Sequence, residues 1–445
     1  MKSVALHNLG CKVNSYELDG MQQMLQENGY KIVSFDEIAD IYLINTCSVT
    51  NMADRKSRQM LHRAKRMNPD AIIVAMGCYV QTGGKEVLLD PAIDLVVGNN
   101  KKKDIVTILA LYFEEKEKGH IADKTLADRT VIDINHTAEY EEMHISKTAD
   151  HTRAYIKVQD GCNQFCSYCI IPYARGRVRS RHMDEIISEV KGLVNSGYQE
   201  IVLTGIHISS YGIDMENVTL LMLLKNLHQI KELKRIRLGS LEPRIITEEF
   251  VAEISRLPKI CPHFHLSLQS GSDTVLRRMN RHYLTSEYFE KVQLLRTQLL
   301  HPAITTDVIV GFPGESEEEF LETKQFLKQL NFYEMHIFKY SKRRGTRAAA
   351  MEDQVKEEIK TVRSNELLRL EKQQSKQFRE YYIGKEVTVL LEEPKTIDGK
   401  TYMIGHTQEY VKIAVESHEM DSNKMVTGKA ISFLTNDILL LSIEF

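Results

Sequence analysis

The sequence predicts an α/β protein built in three units. These are an N-terminal doubly wound parallel-sheet domain (1–130), a central open, partial (β/α)6 barrel of the TIM type with a trailing helix (151–382), and a small C-terminal antiparallel β-barrel (383–445). A polar linker (131–150) separates the first two. Three observations carry this prediction. Short apolar runs alternate with helix-like stretches from Val4 to Cys78, the pattern of a parallel sheet with crossover helices. Six strand-like runs alternate with helices between Ala154 and Phe338, two fewer than the eight of a closed TIM barrel. Beyond Gly384 the runs are short and have no helices between them.

In the first unit three apolar runs each end in a cysteine: Val4–Gly10 before Cys11, Ile41–Thr46 before Cys47, and Ile72–Gly77 before Cys78. Parallel strands joined by crossovers place their carboxyl ends on one edge, where open α/β sheets bind ligands. Three cysteines at that phase are expected to meet there and to hold a cluster. The plainer alternative is three unrelated core cysteines, because free cysteine packs well in cores. The helix after Cys47 carries Arg55, Lys56, Arg58, Arg63, Lys65 and Arg66. Such a face is either simply solvated or contacts phosphates. Residues from about Glu114 to Asp150 are mostly polar and read as a connection.

The second unit opens on Asp160-Gly161-Cys162-Asn163-Gln164-Phe165-Cys166-Ser167-Tyr168-Cys169. Cys162, Cys166 and Cys169 are one thiolate short of the four that normally hold a 4Fe–4S cluster, which leaves one iron open to a ligand. A structural zinc site needs a fourth ligand close by, and neither His151 nor His182 lies at ligand spacing. Small and polar residues mark the ends of the later strands: Thr204, Gly205, Ser240, Glu242, Gln269, Asp307 and Gly311. A barrel of this kind does its chemistry at that rim. Two rim loops are rich in arginine, one with Arg175 and Arg177 and one with Lys342 and Arg343. Arginine suits phosphate contacts, and the interleaved tyrosines can stack on bases. Cys261 has no cysteine neighbour and reads as a bystander. Residues 352 to about 382 read as one helix with Val355, Ile359 and Val362 at core spacing.

From Ile383 onward there are six lysines, no arginines and ten acidic residues, so the last unit is not a basic RNA-binding module by composition. The net charge of −3 makes no global demand for a nucleic-acid partner. Seven cysteines in 445 residues form no disulfide framework, and their clustering favours metal ligation in a reducing compartment. With no secretion signal at Met1–His7 and no apolar run of membrane length, a soluble, cytoplasmic protein is expected.

The spacing of Cys162, Cys166 and Cys169, with Tyr168 before the third, resembles the signature of radical S-adenosylmethionine (SAM) enzymes. Gly10-Cys11-Lys12-Val13-Asn14, Asn45-Thr46-Cys47 and Met76-Gly77-Cys78 resemble the N-terminal domain of methylthiotransferases, and the likeness covers essentially the whole chain. Asp54-Arg55-Lys56-Ser57-Arg58 resembles the branch acting on threonylcarbamoyladenosine in tRNA, and the last unit sits where that family has a TRAM domain.

The resemblance implies two 4Fe–4S clusters and SAM. Cys162, Cys166 and Cys169 would hold the cluster that cleaves SAM to a 5′-deoxyadenosyl radical. Cys11, Cys47 and Cys78 would hold the cluster that carries sulfur. Tyr168 and the polar rim from Thr204 to Gly311 would bind SAM. The substrate would be a tRNA anticodon stem-loop, methylthiolated at C2 of an adenosine beside the anticodon. One SAM would supply the methyl group and a second the radical. An electron donor such as flavodoxin is implied, and the chain is expected to act as a monomer. The sister branch that methylthiolates an aspartate of a ribosomal protein, and a non-catalytic protein binding zinc and RNA, are the alternatives.

Overall fold

The computed structural model describes residues 1–119, 127–147, 152–416 and 421–443. The first unit is a five-stranded parallel sheet. Its strands are β1 (Ser3–Asn8), β2 (Lys31–Val33), β3 (Ile41–Thr46), β4 (Ile72–Gly77) and β5 (Leu95–Val97), in the order β2-β1-β3-β4-β5. Every residue of β3 and β4 is buried, as expected of parallel strands covered on both faces. Helix α1 (Lys12–Glu27) follows β1, α2 (Asn51–Met67) follows β3, and α3 (Cys78–Leu88) follows β4 directly. The Thr50 hydroxyl caps α2 by accepting from the Ala53 N–H at 3.1 Å.

The central unit holds β6 (Ala154–Asp160), a short β7 (Arg179–Ser180), β8 (Glu200–Gly205), β9 (Arg235–Leu238), β10 (His263–His265), β11 (Ala303–Val310) and β12 (Glu334–Lys339). The strands form two sheets, β7-β6-β8-β9 and β10-β11-β12, joined by parallel bridges Ile236–Ile260 and Leu241–Leu266. The six expected parallel strands are therefore present, and β7 is an added antiparallel edge on β6. The first unit touches both ends of this open sheet. Helix α1 packs on β6, while Arg343, after β12, reaches Asp54 of α2 at 2.8 Å.

The segment expected to be a linker is packed wherever it is described; its residues 148–150, and residue 151 of the next unit, lie outside the described residues. Met143 and Ile145 enter the core. The Glu141 carboxylate accepts from the backbone N–H groups of Asn100 and Lys103 at 3.1 and 3.0 Å. The trailing helix spans Glu357–Glu380 and corrects another expectation. Ile359 and Val362 are exposed. The buried face carries Lys360, Arg363 and Arg379 instead, and the two arginines bind Glu315 and Glu334 at 2.6 and 2.9 Å. Apolar spacing misled because the helix docks through these charged pairs together with Leu367, one turn beyond Arg363.

The last unit is a closed barrel, β13-β14-β15-β17-β16. Its strands are β13 (Glu386–Ile397), β14 (Lys400–His406), β15 (Lys412–Glu416), β16 (Met425–Phe433) and β17 (Leu439–Ser442). All pairs are antiparallel except β15 with β17. This barrel docks against the amino-terminal ends of the central strands. Fully buried Arg235 donates to the carbonyls of His406 and Thr388 at 2.9 and 2.7 Å. Fully buried Arg237 donates to those of Gln408 and Thr407 at 2.7 and 3.2 Å, and to the Glu200 carboxylate at 2.7 Å. Replacing Arg237 with alanine strands part of the Glu200 charge and unpairs two carbonyls. A loss of about 3–5 kcal/mol is expected, read as a lower thermal midpoint for the variant; an unchanged midpoint would show that this contact does not hold the barrel in place.

Candidate metal centres and nucleic-acid interface

The three cysteines of the first unit lie at the ends of neighbouring strands. Cys11 caps α1 after β1, Cys47 follows β3, and Cys78 opens α3 after β4. Only glycine fits before Cys78. Gly77 has φ of 92°, and a Cβ there would come within 2.7 Å of Asn45 Oδ1 and 2.9 Å of the Thr46 carbonyl. Burial pushes the Cys47 thiol up to about 11, and the neighbouring Cys78 and Cys11 add to the rise. The three sulfurs thus share one electrostatic environment.

The second set lies on the loop after β6. Gly161 has φ of 71°, and a Cβ there would sit 1.8 Å from the Arg177 carbonyl, so the loop turns where glycine is required. The Cys162 N–H donates to the Gly176 carbonyl at 3.0 Å, which closes the loop. The Ser167 hydroxyl donates to the Arg278 carbonyl at 2.8 Å. Burial pushes Cys162 to about 11 and Cys169 to about 12, with Cys166 adding to both. Arg281, which the sequence did not point to, donates to Cys166 Sγ at 3.3 Å. Tyr168 packs with Met279, Phe312 and Tyr340 under this loop.

The two cysteine sets are joined through the short helix Ile171–Arg175, which follows Cys169 almost at once. Asn99 contacts Cys78 Sγ at 3.6 Å and donates to the Ala174 carbonyl at 2.6 Å. Arg175 is completely buried and binds Glu17 and Asp160 at 2.8 and 3.1 Å, and Asn14 Oδ1 at 2.8 Å. Lys102 and Lys157 also bind Glu17. Burial opposes the Glu17 charge, but Arg175, Lys102 and Lys157 together hold it well below the usual carboxylate range.

The strand-end residues divide. Thr204 and Gly205 end β8, where a Cβ on Gly205 would meet Ile208 at 2.8 Å and the Gln159 carbonyl at 3.0 Å. Glu242 is buried and accepts from Arg244 at 2.8 Å. Gln269 has φ of 73° and bridges to β11. Gly311 is buried in a turn; a Cβ there would strike Lys360 at 2.3 Å, so its place on the rim is structural. Asp307 sits inside the barrel rather than at its edge. With Ser240 it lines a cavity of about 360 Å³ that also meets Lys12, Arg237, His265, His336 and Tyr410. Asp307 is 3.3 Å from His265, and the rings of His265 and His336 stack 5.7 Å apart. Of these residues Lys12, Arg237, Tyr410 and the two histidines went unread in the sequence, although the alternation His263-Phe264-His265 places both of its histidines on one face of the strand.

The expected RNA contacts also divide. Arg55, Lys56, Arg58 and Arg63 of α2 are exposed, as are Arg177 and Lys342. Arg63 pairs with Asp36 at 2.6 Å, and Arg177 lies over the Phe165 ring at 4.5 Å. Arg175 and Arg343 are corrected: both are buried in contacts between the first two units, and neither guanidinium is free for phosphate.

Residues 156–327 match the Radical SAM superfamily, and residues 3–98 match a family described as Uncharacterized protein family UPF0004. The protein is thus a radical SAM enzyme. It is 42% identical to "Threonylcarbamoyladenosine tRNA methylthiotransferase MtaB" of Bacillus subtilis (strain 168), covering 97% of this chain and 94% of that protein. It is 33% identical to "tRNA-2-methylthio-N(6)-dimethylallyladenosine synthase" of Finegoldia magna, covering 95% and 91%. The chain belongs to the radical SAM methylthiotransferase family. The radical SAM methyltransferase TsrM of Kitasatospora setae shares its fold, with a TM-score of 0.55 at 15% identity over 76% of this chain and 73% of that one. Among the described residues no helix is long and apolar enough to cross a membrane.

The family brings a 4Fe–4S cluster and SAM, and the loop fits that cluster. Cys162, Cys166 and Cys169 supply three sulfur donors and no fourth, and Arg281 meets one sulfur as a hydrogen-bond donor, the kind of contact that tunes such clusters.

Two outcomes follow from this geometry. Glu17 has a depressed folded-state pKa, so the stability it contributes is present above its ordinary value of 4.5 and is lost as pH falls through the folded value. Unfolding midpoints measured from pH 7 to pH 3 should therefore fall steeply below about pH 4.5 in the wild type. Glu17→Gln should start lower at pH 7 and lose less on acidification; parallel curves would remove Glu17 from this role. Secondly, changing Arg55, Arg58 and Arg63 to Gln should weaken tRNA binding and flatten its salt dependence by about one unit of slope per lost phosphate contact. Binding measured at several salt concentrations checks this, and an unchanged slope would place the RNA elsewhere.

Proposed function

We propose that this protein inserts sulfur and a methyl group at C2 of N6-threonylcarbamoyladenosine beside the anticodon of tRNA, using two 4Fe–4S clusters and two molecules of SAM. The observation that carries this reading is the link between the two cysteine sets. Asn99 ties Cys78 to the helix that follows Cys169, which supports a reading in which the two sets act side by side. The identity of 42% to a protein named for threonylcarbamoyladenosine supports the substrate.

In this reading Cys162, Cys166 and Cys169 hold the first cluster, and Cys11, Cys47 and Cys78 the second. When bound, these groups supply radical chemistry at an unactivated C–H bond and the sulfur to be transferred. The chain does the rest. Arg281 offers an N–H to Cys166, and Tyr168 packs the loop against the barrel. Helix α2 begins four residues after Cys47, and its exposed basic face, from Arg55 onward, can hold the RNA backbone beside the second set.

Mass spectrometry of tRNA nucleosides from cells with and without the gene tests the reading. Loss of the gene should remove the 2-methylthio nucleoside and leave its threonylcarbamoyl precursor. Cys166→Ala should abolish deoxyadenosine formation, whereas Cys47→Ala should still cleave SAM and give no methylthio product. Wild-type deoxyadenosine production by Cys166→Ala would defeat the assignment.

A further inference from the structure

The cavity inside the central barrel has no role in holding either cysteine set. Its volume of about 360 Å³ falls in the range of small-ligand sites, about 300–1,000 Å³. Its floor is Tyr410, contributed by the last unit, with Arg153 and Arg237 over the ring at 4.9 and 4.7 Å. Those two cations are already paired, with Glu392 at 3.2 Å and Glu200 at 2.7 Å. Lys12 lines the same cavity, and among the described residues it forms no ion pair. It immediately follows Cys11, so the cavity opens beside the first unit's cysteine set. The same lining holds the His265–Asp307 pair with His336. Glu334 also lines the cavity, but its charge is met by Arg379 at 2.9 Å. The lumen thus offers one positive charge outside any ion pair, the Asp307 carboxylate able to accept N–H or O–H, and imidazoles able to donate or accept.

We propose that this lumen receives the N6 substituent of the substrate base, with Lys12 as the counter-charge to its threonyl carboxylate. This rests on the substrate reading above. The threonylcarbamoyl arm carries a carboxylate, a hydroxyl and the N–H and C=O groups of a urea. The carboxylate meets Lys12. The urea N–H or the hydroxyl meets Asp307, held in place by His265. Lys12 is in this sense a specificity residue: it selects an anionic arm and leaves the chemistry at C2 to the cysteine-bound groups. Lys12 is exposed in the free protein; an uncharged arm of similar size covers that charge without pairing it, which is the usual origin of discrimination against an analogue lacking a polar group.

The test uses the full-length, cluster-loaded protein and two anticodon stem-loop RNAs, one with the free threonyl carboxylate and one with its methyl ester. Steady-state kcat and KM are measured for each, with iron per chain and substrate-free SAM cleavage as folding controls. A contact to a charged group of this kind is worth about 10–100-fold. The wild type should therefore prefer the acid over the ester by about that factor, mostly in KM. Lys12→Met should lose the preference, and Lys12→Arg should restore much of it. Equal use of acid and ester by the wild type overturns the proposal without any variant, and so does an undiminished preference in Lys12→Met. If the wild type methylthiolates neither RNA, the substrate reading itself fails, and the inference with it.

Discussion

The buried charge cluster around Glu17 is the constraint on which the rest of the arrangement depends. Glu17 comes from the first unit, whereas Lys157, Asp160 and Arg175 come from the second. Burying an ion costs several kcal/mol unless partners and hydrogen bonds replace water. These partners come from both units, so neither unit can keep its buried charges satisfied if the other moves away. The interface is therefore directional in a way that an apolar contact is not. It also lies directly beneath the chemistry: Asp160 accepts from the Gly161 N–H at 2.8 Å, one residue before Cys162, and Arg175 ends the helix that contacts the Cys78 side. A cluster that orients two cysteine sets needs fixed angles, and paired charges with specific geometry supply them.

The second docking surface follows the same logic at the opposite end of the strands. Arg235 and Arg237 are buried at the start of β9 and use backbone carbonyls of the last unit as acceptors. Tyr410, with φ of 70°, stacks on His263 at 5.1 Å and on His406 at 4.4 Å. The acidic small barrel thus closes the floor of the lumen. The cysteines lie at the carboxyl ends of the strands, and six residues of strand span about 20 Å. Its composition did not look like that of a phosphate-binding module, and much of its contact with the central unit consists of carbonyls accepting from Arg235 and Arg237, beside the Asn423 amide donating to the Gly197 carbonyl at 2.7 Å.

Much of this was legible in the sequence because it follows from periodicity and spacing. The three strand–cysteine repeats and the loop of Cys162, Cys166 and Cys169 each encode position along one strand or loop, and a single strand end fixes them. The six central strands were equally plain. In the last unit a signal went unused: Asp398 and Gly399, both at positive φ, form the kind of tight turn that Asp-Gly announces between β13 and β14. The buried face of Glu357–Glu380 was misread because pattern reasoning equates burial with apolar side chains, and here Leu367 shares that face with Lys360, Arg363, Gln374 and Arg379. Arg281 gave no signal, since its meeting with Cys166 joins residues 115 positions apart.

Arginine shows most clearly where sequence reading stops. Arg175 and Arg177 stand two apart in one loop, yet Arg175 locks two units together and Arg177 is exposed above an aromatic ring. Arg343 and Lys342 are adjacent, yet the first is buried against Asp54 and the second is exposed. Charge density in a loop therefore overstates its phosphate-binding capacity, because a guanidinium with five donors serves equally well as an internal brace. What separates the two uses is the supply of acceptors within reach: Glu17, Asp160 and Asn14 converge on Arg175, whereas Arg55 and Lys56 face outward from α2. With a net charge of only −3, the protein does not attract RNA through its overall field. The cations left over after the internal pairs are made then form a local surface, and that surface lies on the helix that starts just after Cys47.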